Sequence, residues 1–153
     1  MQNKFAVIFG GAIAGTLLFL YAFALTYMTV LVYRAGQDRP DRAIEFSTGL
    51  VYVATTIGGL VAALVIARLA VTKPGKNPAI MRVAANENGE PNIWVTRLAI
   101  AYLVIWLVVG LFSLVVGVMV YPNVSISLND IGTTWLGLAV ASGYAYFGIK
   151  PES

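Results

Sequence analysis

The sequence predicts an all-α fold, an integral membrane four-helix bundle with both termini on the cytoplasmic side. Three observations predict it. Four uncharged stretches, Phe5–Tyr33, Phe46–Ala67, Leu98–Tyr121 and Ile131–Ile149, take up most of the 153 residues. Each matches the roughly 20 apolar residues whose helix crosses about 30 Å of hydrocarbon. Hydrophobic residues make up 59% and charged ones 11%, well below the roughly 25% charge of soluble domains. The apolar runs are also continuous, without the alternation that a barrel strand requires. Lipid offers the backbone no partners, so each run must close its hydrogen bonds within itself as a helix.

The expected spans lie at about 5–33, 46–71, 95–121 and 131–149, in one transmembrane domain covering 1–153. The first begins close to the N-terminus. Lys4 and Ala22-Phe23-Ala24 resemble a cleaved signal, but the apolar run continues through Leu25–Tyr33, too long for one, so an uncleaved helix is expected. It should end at Arg34, where a short loop through Glu45 carries Pro40 as its turn residue. The second helix runs to about Val71. A polar cytoplasmic loop follows at about 72–94, with breaker clusters at Lys73–Pro78 and Asn86–Pro91. Between them, Ala79–Ala84 reads as a short interfacial helix or a strand, and Asn88-Gly89 can close a hairpin, although a plain surface loop is the simpler reading. The third helix ends at Tyr121-Pro122. Asn129 or Ser127 is the expected cap of the fourth helix, with Asp130 at its positive end. That helix stops before Lys150-Pro151.

Basic residues set the orientation. Lys4, Arg68, Lys73, Lys76, Arg82, Arg97 and Lys150 fall on one side, and Arg34, Arg39 and Arg42 on the other. The richer side is expected to be cytoplasmic, in a bacterial inner or plasma membrane. Trp94, Tyr144, Tyr146 and Phe147 would lie at the inner interface. Tyr33, Phe46, Tyr121 and Trp135 would lie at the outer one, with Trp106 packed in mid-helix.

Composition excludes much chemistry. The chain has no Cys and no His, so disulfides, thiol catalysis and a Ser–His–Asp triad are ruled out within it. No Asp, Glu, Lys or Arg lies deep in a span, which argues against proton relays and ion-coupled transport. The chain is expected to be no enzyme and to hold no cofactor and no metal. Its net charge of +3 comes from single basic residues beside the spans, and nucleic acid is not an expected partner.

Small residues spaced by four are the clearest pattern. They are Thr55, Gly59, Ala63 and Ala67 on the second helix, and Thr133, Gly137, Ala141 and Ala145 on the fourth. Gly11 and Gly15 on the first helix and Ser113 and Gly117 on the third repeat it. Such stripes let another helix approach closely. They serve packing inside one bundle or association between copies. Thr55, Thr56, Thr133 and Thr134 are candidate pore-lining hydroxyls, although in a helix such hydroxyls commonly bond back to their own backbone. The segments Thr55–Ala63 and Thr133–Ala141 align over nine residues, which suggests a duplicated hairpin or chance.

Two functions follow as expectations. One is a small membrane protein that self-assembles in the bilayer as a pore or channel of the holin-like or membrane-effector-like kind. The other is a non-catalytic accessory subunit of a larger membrane complex. A solute transporter fits less well, since the spans lack both charges and internal Pro.

Overall fold

The computed structural model describes residues 2–39, 41–69 and 93–147. Among them every regular element is helical. Helix α1 is Gln2–Asp38, α2 is Thr48–Leu69, α3 is Ile93–Leu114 and α4 is Ile126–Phe147; α3 continues as a wider π-helical turn, Val115–Val120. The proposed loop at 72–94 lies outside the described residues up to 92, as do its interfacial helix and the stop at Lys150-Pro151; Ile93–Thr96, which would form the second arm of the Asn88-Gly89 hairpin, is instead the helical start of α3.

The four helices stand in a ring in the order α1, α2, α4, α3. Neighbours around the ring pack extensively, while the diagonal pairs α1–α4 and α2–α3 barely touch. Short turns make α1–α2 and α3–α4 antiparallel hairpins. Ile44 N–H donates to Val124 O at 2.6 Å, so both turns sit at the same end. It follows that α2 and α4 run parallel, side by side.

Each helix turns one stripe inward at spacings of three and four. On α1 the stripe is Tyr21, Leu25, Met28 and Val32, and on α2 it is Ala54, Val61, Ala62 and Val65. On α3 it is Tyr102, Trp106 and Val116, and on α4 Leu128, Ile131 and Trp135. The remaining faces are apolar too. Among the described residues three helical segments are long and apolar enough to cross a membrane: Phe9–Asp38, Thr48–Ile66 and Ile100–Val120. Only 22% of the α2 window and 28% of the α3 window are buried inside the chain, so most of that apolar surface faces outward.

The fourth expected span does not join them. Helix α4 is as long as α2, but Asn129, Asp130, Thr133, Thr134, Ser142, Tyr144 and Tyr146 dilute its apolar character. It also begins earlier than expected, at Ile126, with neither Ser127 nor Asn129 as its cap. Ser125, buried beneath the turn, accepts a hydrogen bond from Leu128 N–H at 3.4 Å. Ser125→Ala is expected to lower stability by about 1 kcal/mol, read as a denaturant midpoint in detergent. Ser127→Ala and Asn129→Ala should leave the midpoint in place. At α2 the same device operates, with Leu50 N–H donating to Ser47 Oγ at 3.3 Å.

The end of α1 also differs from expectation. The helix continues past Arg34 to Asp38, making 37 residues, about 55 Å at 1.5 Å per residue. The reason is packing. Gly36 is buried against the ring of Tyr121, where no side-chain carbon fits. Tyr33 meets the same ring edge-on at 6.0 Å, and Gln37 Nε2 donates to Tyr33 Oη at 2.9 Å. The α3–α4 turn thus props the last turns of α1.

Candidate functional site

The inner stripes do not fill the ring completely. A cavity of about 70 Å³ lies among all four helices. Its lining comprises Tyr21 from α1, Trp106 from α3, Ala54, Thr55, Gly58 and Gly59 from α2, and Ile131, Thr134, Trp135 and Leu138 from α4. The Tyr21 ring lies over Gly58 of α2, where an added methyl would reach ordinary van der Waals contact with it, 3.4 Å from Cε2. Trp106 and Trp135 meet at 5.5 Å with planes tilted 47°. Thr55, Gly59 and Thr134 are exposed, so the cavity opens on the α2–α4 side.

Trp135 was expected at the outer interface. It is instead buried in the bundle, because its face of α4 packs on Trp106 and Gly110 of α3. Trp106 is buried, as its mid-helix position suggests.

The lining carries no charge. Tyr21 Oη and Trp135 Nε1 are both buried without a hydrogen-bond partner among the described residues. Thr55 Oγ1 donates back to Val51 O at 2.9 Å and Tyr52 O at 3.2 Å. Nothing in the lining offers a nucleophile activated by a base.

The small residues singled out in the sequence divide into two groups. Gly117 and Ser113 are buried where α3 meets α4. A methyl on Gly117 would lie 3.0 Å from Leu128 O, and Ser113 Oγ has no partner among the described residues. Gly11, Gly15, Gly59 and Gly137 stand where an added methyl meets nothing within 4 Å among them. Ala63 and Ala141 are exposed and Ala145 is half-buried. Ala67 lies on α2, with its side-chain surroundings outside what is described. Thr55, Thr56, Thr133 and Thr134 are all exposed. Thr133 Oγ1 donates back to Asn129 O at 3.1 Å and Asp130 O at 3.0 Å. The stripes of α2 and α4 therefore face outward along much of their length, and only Thr55, Gly59 and Thr134 reach the cavity mouth.

Two glycines that the search by fours passed over also stand at close helix contacts. Gly110 lies against the Trp135 indole, and Gly132 faces the Leu114 backbone, where a methyl would sit 3.1 Å from Leu114 Cα. The signal was present as Gly110, Ser113 and Gly117, a three-then-four spacing along one face. Comparison with family models finds no match to this chain, and comparison with curated proteins and with solved structures finds none either.

Proposed function

We propose that this chain is a multi-pass protein of a bacterial inner or plasma membrane, with α4 completing a four-helix bundle and both termini on the cytoplasmic side. Copies assemble through the outward stripes of α2 and α4, and a pore forms between copies. One observation carries the association: Gly59 and Gly137 leave open space above the helix backbone, in line with exposed Ala63 and Ala141. Grooves of this kind admit a second helix at close range. The hydroxyls of Thr56 and Thr134 supply polar groups on the same outward faces.

The test is native mass spectrometry of particles extracted from the native membrane into nanodiscs, followed by planar-bilayer recording. The expected result is a single particle of several copies that carries current. A pure oligomer silent at every protein density sinks the pore.

A second reading, the accessory subunit, is favoured by a ridge on α1. Phe19, Phe23 and Tyr27 are exposed and stacked in sequence at 6.3 and 6.2 Å, a rigid aromatic face suited to a partner helix. It predicts a mixed particle in the same spectrum.

A further inference from the structure

The walls of the cavity are carbon. The rings of Tyr21, Trp106 and Trp135 and the side chains of Ile131 and Leu138 form most of them. The polar atoms of two of those rings are sealed away from the space: Tyr21 Oη and Trp135 Nε1 present almost no accessible surface. The indole N–H edge of Trp135 lies against Gly110, which is not part of the lining. Hydroxyls stand only at the mouth, on Thr55 and Thr134, and Thr55 Oγ1 gives its proton to its own helix. An enclosed water needs two to four polar partners, whereas a cavity walled by apolar side chains stays dry and takes an apolar guest.

Size and direction narrow the guest. The cavity, at about 70 Å³, is less than half of the roughly 150 Å³ that holds a benzene ring. It admits a few aliphatic carbons in line and excludes a ring. Its mouth at Thr55, Gly59 and Thr134 opens sideways, between two helices. At Gly59 the way in is clear, since even an added methyl would meet nothing within 4 Å among the described residues. On one side of the mouth stands α2, long and apolar enough to cross a membrane and mostly unburied within the chain. In a bilayer the mouth therefore faces hydrocarbon chains.

We propose that the cavity takes one unbranched acyl chain of a bilayer phospholipid, which enters between α2 and α4 and seats its end beside Trp106 and Trp135. This inference rests on the bundle lying in a membrane and is independent of pore formation.

The test places the full chain, carrying Trp94→Phe, in nanodiscs of phosphatidylcholine brominated along one acyl chain. Emission then comes from Trp106 and Trp135 alone, which are 1% and 7% exposed. Bromine quenches an indole only near contact, so rings this deep are reached by a chain that enters the cavity. Their emission should fall at least twofold against unbrominated discs. Thr134→Leu and Gly59→Leu place a larger side chain at the mouth from opposite lips, and each should restore at least half of the lost emission. Gly137→Leu, on the same outward stripe but outside the lining, should restore none. Equal quenching in all variants puts the bromine outside the mouth and overturns the proposal. Emission that bromine leaves unchanged overturns it too: a red-shifted maximum then marks water in the cavity, and a blue one a cavity closed by the chain itself or by a second copy. A chain that stays out of the discs overturns the membrane placement, and the proposal with it.

Discussion

Replacing Gly110 by alanine is expected to destabilise the bundle by about 3 kcal/mol, at the upper end of what overpacking a close-packed site costs. The added methyl would fall onto Nε1, Cε2 and Cδ1 of the Trp135 indole. A flexible side chain would swing aside, but this ring is rigid, buried and backed by Trp106 at 5.5 Å. The strain passes to the backbone, so α3 and α4 must part, and the contacts of Gly117 with Leu128 and of Gly132 with Leu114 loosen with them. The measurement is a denaturant midpoint in detergent, with Gly143→Ala as the reference. Gly143 is also a helical glycine, and a methyl there meets nothing within 4 Å among the described residues. It should gain up to about 1 kcal/mol from helix propensity. Equal midpoints for the two variants would refute the close approach of Gly110 and Trp135.

Gly59→Leu and Gly137→Leu should act on a different property. Within one chain a Cβ at either position enters open space, so helicity is kept and the denaturant midpoint holds or rises, by up to about 1 kcal/mol of helix propensity. Between copies the same side chains occupy the groove that a partner helix would enter. Association should weaken at least tenfold at each such contact, about 1.4 kcal/mol. The particle mass in nanodiscs should then fall toward that of a single chain. Gly137 lies outside the cavity lining, whereas Gly59 belongs to it, so Gly137→Leu isolates assembly from any effect on the mouth. An unchanged mass for both variants removes these faces from the interface. A loss of helicity would mean that they pack inside the bundle after all.

The presence and rough extent of all four helices could be read from the sequence, because long uncharged runs leave the backbone no alternative in lipid. Their ends could not. Arg34 and Pro40 suggest where a lipid span stops, but Tyr121, distant in sequence, holds α1 helical to Asp38. Polarity around Ser127 and Asn129 pointed to a late start for α4, yet the hydroxyl that reaches a free N–H belongs to Ser125. Trp135, expected at an interface, lies in the core, because its face of α4 meets Gly110 and Trp106 of α3. The small-residue stripes of α2 and α4 were visible as spacing, but spacing does not say which way a face points. On helices apolar all round, no polar face marks the outside. The π-helical turn at Val115–Val120 has no sequence signature either, since Val-Val-Gly-Val-Met-Val reads as ordinary helix interior.

The ring order has a consequence for how the molecule is assembled in time. Helices consecutive within a hairpin touch, whereas α2 and α3, consecutive along the chain, sit diagonally and barely do. Each hairpin can therefore close on local contacts alone, and the two come together in a later, slower step through α1 with α3 and α2 with α4. Tyr21 comes from the first hairpin and Trp135 from the second. The cavity that both side chains line is thus born at that last step.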